Sequence, residues 1–157
     1  MLDSFKKADG KILKKEELLR EIEKFILEDE NFLYKVLVGT DSENYNDRTE
    51  FISVIAVHRI GRGGRFFWRK EWTLKPLSLY ERLWQEAVIS LNLSQELLRE
   101  LNKKNLNFVF ELHLDMGTNG RSKSTIREII NLVKSYGFIV KTKPESYAAS
   151  KVADKLL

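Results

Sequence analysis

The sequence predicts an α/β domain built on a mixed five-stranded sheet, a three-strand antiparallel meander followed by βαβαβ, with helices on both faces and an extra helix at the N-terminus. Residues 34–74 contain three runs rich in β-branched and aromatic residues, two of them joined by Gly61-Arg62-Gly63-Gly64. Beyond residue 78, helical-period stretches alternate with short apolar runs, the order that parallel crossovers require. With 157 residues, 43% of them hydrophobic, the chain is long enough for one core and too short for two, so residues 1–157 are expected to form a single domain.

Each element has its own signal. Leu18, Leu19, Ile22, Phe25 and Ile26 recur at helical spacing among Lys and Glu, which predicts an amphipathic helix over 13–29 as an N-terminal addition. Tyr34 to Thr40 is a buried strand followed by a polar loop through Asn44, Asn46 and Asp47. Phe51 to Ile60 and Arg65 to Leu74 form the hairpin around the glycines. Ser78-Leu79-Tyr80-Glu81 has the spacing of a capping box and opens a long helix with Leu83, Ala87, Leu91, Ser94, Leu98 and Leu101 on one face. Phe108 to Leu114 is a strand, and Ser122 to Tyr136 a helix stopped by Gly137. Phe138 to Lys141 is a short strand, and a last helix runs from Tyr147 to the end.

Composition narrows the chemistry. The chain has no cysteine and two histidines, which removes disulfides and thiolate sites and argues against zinc. A metal here is held by oxygen, which favours Mg²⁺ or Mn²⁺. No apolar run approaches the roughly 20 residues of a membrane span, and the polar N-terminus has no cleavable apolar segment, so a cytoplasmic protein without a membrane partner is expected.

Two apolar strands end in acids. Val36-Leu37-Val38-Gly39-Thr40 leads into Asp41, and Leu112-His113-Leu114 leads into Asp115. A carboxylate in that position leaves the sheet at its rim, and two such strands side by side bring the pair together. Ionised carboxylates at short range raise one another's pKa unless a cation neutralises them, so the pair is a candidate metal and catalytic site; the bland alternative is an Asp that turns the chain. In the long helix, Glu86 sits roughly 90° from the centre of the apolar face and borders the sheet, whereas Glu81 lies on the solvent side with a capping role. Asp154 is a fourth candidate, or a solvated acid paired with Lys151 or Lys155. His113 shares a sheet face with Asp115 and is a possible ligand or phosphate contact, though a structural histidine is the commoner outcome.

The net charge of +4 is unevenly spread. Arg59, Arg62, Arg65, Arg69, Lys70 and Lys75 face Glu71 alone in 58–75, and Arg121, Lys123, Arg127, Lys134, Lys141, Lys143, Lys151 and Lys155 outnumber the acids of 121–155. Basic stretches flanking an acidic centre suit a polyanion that reaches a metal, which makes Arg62, Arg65, Arg121, Lys123 and Lys143 candidate substrate-binding residues for RNA, DNA or a hybrid. The loop Gly117-Thr118-Asn119-Gly120-Arg121-Ser122-Lys123-Ser124 lacks the spacing of a nucleotide-phosphate loop, but amides at the following helix start suit a backbone phosphate.

This order of elements, with Asp41 ending the first strand, Glu86 in the first helix after the meander, Asp115 ending the fourth strand and Asp154 in the last helix, resembles the ribonuclease H-like superfamily from Tyr34 to the C-terminus. Within it, Val38-Gly39-Thr40-Asp41-Ser42, Arg62-Gly63-Gly64, Arg82 with Glu86-Ala87, Asp115-Met116-Gly117 and Lys143 to Asp154 look like the YkuK-type family of predicted ribonuclease H-related nucleases. The resemblance implies a two-metal nuclease with Asp41, Glu86, Asp115 and Asp154 as ligands, a Mg²⁺ or Mn²⁺ pair as cofactor, and products with 5′-phosphate and 3′-hydroxyl ends. The alternative it leaves open is a module of the same fold that binds nucleic acid or protein without cutting.

Overall fold

The computed structural model describes residues 1–117, 122–143 and 145–146. Ten elements follow one another: β1 (Phe5–Lys6), β2 (Ile12–Leu13), α1 (Lys15–Glu28), β3 (Tyr34–Asn44), β4 (Thr49–Arg59), β5 (Gly64–Thr73), α2 (Leu79–Asn102), β6 (Val109–Leu114), α3 (Lys123–Ser135) and β7 (Ile139–Lys141). The strands form a mixed sheet in the order β2-β1-β5-β4-β3-β6-β7. β3, β4 and β5 pair antiparallel as a meander, while β6 joins β3, and β7 joins β6, in parallel.

Among the described residues the sheet has seven strands where the sequence predicts five. The two additions, β1 and β2, are two-residue strands in a hairpin that extends the β5 edge through Lys6 opposite Trp68. Two residues show no alternation, so no periodicity announces them. Their apolar residues nonetheless complete the core: Leu2, Phe5 and Leu13 are buried with Leu18, Ile22 and Phe25 of α1 and with Val36, Val38, Ile55 and Val57 of the sheet.

The three described helices all pack on one face. Leu83, Ala87 and Leu91 of α2 and Ile126 and Ile129 of α3 pack on Leu112 and Leu114 of β6, on the face that α1 also covers. The other face carries a smaller cluster of Ile52 and Val54 with Ala56, Phe66 and Trp68. The predicted helix from Tyr147 lies outside the described residues. α2 begins as its sequence demands, with Ser78 Oγ accepting from Glu81 N at 3.2 Å and Glu81 Oε2 accepting from Ser78 N at 2.8 Å.

The glycine loop between β4 and β5 is a steric device. Gly61 and Gly63 hold φ of 86° and 76°, the left-handed region, and a Cβ on Gly64 would meet the Val57 carbonyl oxygen at 2.6 Å. Gly64→Ala should therefore cost about 1–3 kcal/mol as the paired strands are forced apart. Urea denaturation checks this; an unchanged midpoint would show that the loop tolerates the methyl group.

Candidate active site

β3 runs beyond its predicted end. The sequence places a polar loop after Thr40, but Asp41, Ser42, Glu43 and Asn44 stay in the strand, paired with Ile52, Phe51, Glu50 and Thr49 of β4. On the other side of β3 the parallel pairing stops at Thr40 opposite Leu114. Asp41 therefore stands where one neighbour strand ends and the other continues. Asp115 follows Leu114 as Asp41 follows Thr40, which brings both acids to the same end of adjacent parallel strands.

Neighbouring side chains on β3 point to opposite faces. Thr40 and Ser42 face α2, where Ser90 Oγ donates to Thr40 Oγ1 at 2.8 Å and Ser42 Oγ donates to Glu86 Oε1 at 2.5 Å. Asp41 between them projects to the other face, its Oδ1 accepting from the Ser42 backbone N–H at 2.9 Å. Glu86 thus approaches the two aspartates from across β3. It is 4% exposed, more enclosed than a residue bordering the sheet would be, because the buried side of α2 includes a polar column of Glu86, Ser90 and Ser94 beside its apolar stripe.

Electrostatics bind the three acids into one group. Burial pushes the Glu86 carboxyl up to about 8; the Ser42 hydrogen bond and Arg82 oppose the rise, and the charges of Asp41 and Asp115 add to it. Burial also raises Asp41, with the Ser42 N–H, Lys143 and Arg82 opposing and Asp115 adding. Among the described residues, Asp115 Oδ1 is buried without a hydrogen-bond partner, and Lys143 Nζ lies 3.6 Å from it. An acceptor oxygen left without a donor, next to a second carboxylate, is the chemistry that a hard divalent cation satisfies, and Mg²⁺ is commonly held by one or two carboxylates with water and phosphate completing its shell. Among the described residues, no three His, Cys, Asp or Glu side chains are grouped closely enough to hold an ion by themselves. The donors thus fit such a cation in kind, with Asp41 and Asp115 as the pair and Glu86 behind them. Asp154 lies outside the described residues.

The other candidates are dispersed. Lys143, on the segment after β7, lies beside Asp115, and its backbone N–H donates to Met116 O at 3.2 Å. Lys123 is exposed at the first position of α3, and Arg121 lies outside the described residues. The structure separates Arg62 and Arg65 from the acids. Arg65 is paired with Val57, opposite Val36 near the start of β3, and its guanidinium sits 4.6 Å over the Phe25 ring. A meander reverses at each turn, so the β4–β5 loop returns to the end of the sheet away from Asp41. His113 is buried, with Nε2 3.0 Å from Glu111 Oε1, and its pKa is lowered by burial against the raising effect of Glu111. Burial opposes the Glu111 charge as well, but His113 and Lys35, whose Nζ is 3.4 Å away, outweigh it and lower its pKa. The imidazole is thus engaged with Glu111.

Two further residues of the site, Ser42 and Arg82, lie in segments that carry the family resemblance, without a role assigned to them from the sequence. Arg82 donates through Nε to Ser42 Oγ at 3.1 Å and through a terminal nitrogen to Ser42 O at 3.3 Å. The sequence signal for Arg82 is its four-residue spacing from Glu86 and Ser90, which lines the three along one side of α2, and Ser42 directly follows Asp41.

Comparison with known proteins agrees with this architecture. A family model described as Ribonuclease H-like matches residues 17–157. The uncharacterized protein YkuK of Bacillus subtilis (strain 168) is 28% identical over 152 residues, covering 89% of this chain and 88% of that protein. With a mixed sheet that brings Asp41 and Asp115 to one end of the β3–β6 parallel pair, and a family match that omits only the first 16 residues, the chain belongs to the ribonuclease H-like family, among proteins of the YkuK type.

Proposed function

We propose that the protein is a metal-dependent nuclease that hydrolyses phosphodiester bonds in RNA, DNA or a hybrid. The observation that carries this reading is the convergence of Asp41, Glu86 and Asp115 at one end of the β3–β6 parallel pair, where the buried Asp115 Oδ1 has no hydrogen-bond donor among the described residues and faces the Lys143 ammonium at 3.6 Å. Asp41 and Asp115, completed by Glu86 and Asp154, would hold two Mg²⁺ or Mn²⁺ ions. When bound, such ions lower the pKa of an attacking water and stabilise the oxygen that leaves phosphorus.

The chain's own residues supply orientation and charge. Ser42 fixes one oxygen of Asp41 through its backbone N–H and one oxygen of Glu86 through its hydroxyl. Lys143, beside Asp115, offers an ammonium to a phosphate arriving there, and the start of α3 at Lys123 offers backbone amides, with Arg121 preceding it. Membership of the family supports a nucleic-acid ligand. No described helix is long and apolar enough to cross a membrane.

Labelled single-stranded RNA, duplex DNA, RNA/DNA hybrid and a four-way junction, each incubated with Mg²⁺, Mn²⁺ or EDTA, test the reading. Cleavage of at least one class is expected with metal and none with EDTA. Binding that is independent of metal, with no cleavage of any substrate, would assign the fold to a non-catalytic binding module instead.

A further inference from the structure

The interface between α2 and β3 is fastened by a line of polar contacts, and only the outer end of that line touches acids. Its inner part, Ser90 Oγ to Thr40 Oγ1 at 2.8 Å and Thr40 Oγ1 to Ser53 Oγ at 3.2 Å, links the helix to two strands and reaches no titratable group. Its outer part is Arg82, Ser42 and Glu86. Interdigitated apolar side chains of α2 already fix the helix on the sheet. With the apolar packing and the inner polar links in place, the outer part is not needed to seat the helix.

The hydrogen-bond inventory gives the outer part a direction. A guanidinium donates and never accepts, and a serine hydroxyl has one hydrogen to give. With Arg82 Nε donating to Ser42 Oγ, the Ser42 hydrogen is directed to Glu86 Oε1. With a terminal Arg82 nitrogen on Ser42 O, the peptide that carries the Ser42 carbonyl is held too, and the same residue's N–H holds Asp41 Oδ1. One cation on α2 thereby sets the orientation of a carboxylate on each side of β3. Its charge also opposes the rise in pKa that burial imposes on both.

We propose that Arg82 and Ser42 are positioning residues that hold Asp41 and Glu86 in a fixed mutual orientation, Arg82 clasping Ser42 and Ser42 binding both carboxylates. The assignment deepens the nuclease reading and rests on it only for the metal-binding measurement below.

The test follows the carboxyl ¹³C signals of Asp41 and Glu86 in the metal-free full chain, with Mn²⁺ affinity measured by electron paramagnetic resonance. Arg82→Ala should shift both carboxyl signals, and Ser42→Ala, which keeps the backbone N–H on Asp41 but loses the hydroxyl, should shift that of Glu86 more than that of Asp41. Ser90→Ala, which cuts a structural link of the same kind, should leave them in place. Arg82→Lys keeps the charge without the two-pronged grip and should shift them part of the way. Arg82→Ala should weaken Mn²⁺ binding on the order of 10- to 100-fold, as loss of groups that orient metal ligands does. Added guanidinium should restore part of that affinity, which a purely structural role would not predict. If Arg82→Ala does not fold, Ser42→Ala and Arg82→Lys carry the comparison. Unshifted signals in the folded variants, or an equal shift in Ser90→Ala, would overturn the assignment. If the wild type takes up no Mn²⁺ while the signals move as stated, the nuclease reading fails and the positioning role stands.

Discussion

Asp41→Asn should abolish metal-dependent cleavage, with a loss on the order of a thousandfold or more, while the chain remains folded. The size follows from the several kcal/mol that a bound cation contributes to a phosphoryl transition state, at about 1.4 kcal/mol per factor of ten. Asp41 is the acid most exposed to this loss, since it lies next to Asp115 across the strand pair and is linked to Glu86 through Ser42. Asparagine keeps an oxygen for the Ser42 N–H and removes a charge that is costly where it stands, because burial and Asp115 raise the Asp41 pKa. The metal-free variant should therefore melt no lower than wild type. Nucleic-acid affinity without metal should persist, because on the proposed reading the phosphate contacts come from basic residues such as Lys143 and Lys123 and not from Asp41. Cleavage at the wild-type rate in this variant would remove Asp41 from the mechanism, whereas a lowered melting point would mean that the residue is structural.

In EDTA, the wild-type chain should lose stability as pH rises from about 4.5 to about 8, and Glu86→Gln should remove most of that loss. Glu86 has its pKa raised from 4.5 to about 8 in the folded state, so the folded chain retains a proton that the unfolded chain releases. The contribution is fully present below the unfolded value and disappears as pH passes the folded one. A shift of this size corresponds to several kcal/mol in order of magnitude. Asp41 acts in the same sense, because its pKa is also raised. His113 acts in the opposite sense: with its folded pKa lowered, stability falls as pH drops through the unfolded value. The difference between wild type and Glu86→Gln cancels His113 and isolates Glu86. Urea denaturation from pH 5 to 9 gives that difference, and parallel profiles would show that Glu86 is not the group that titrates. Mg²⁺ at pH 8 should stabilise wild type more than Glu86→Gln if the ion takes up the ionised carboxylate.

Much of the site follows from local patterns. Asp41 and Asp115 are visible because each follows an apolar strand, and Glu86 because helical periodicity separates it from Glu81. Arg82 and Ser42 stand in segments that resemble the YkuK-type family, but their contact joins positions 40 residues apart and so is not legible in either segment alone. The end of β3 was hidden for a related reason. Ser42, Glu43 and Asn44 read as a loop by composition, and it is pairing with β4 that keeps them extended. Arg62 and Arg65 lie at the end of the sheet away from Asp41, which a local count of charge does not reveal. A run of positive charge has no direction until the topology supplies one, and the turn of a meander's second hairpin faces away from the end of its first strand.

That separation has a practical side. The tight turn at Arg62 lies about 20 Å from Asp41 by strand rise, at an exposed tip. A dye or a surface tether attached at Arg62 would leave the acidic end of the molecule facing outward into solution, so that single molecules could be watched on immobilised protein without a label crowding the carboxylates.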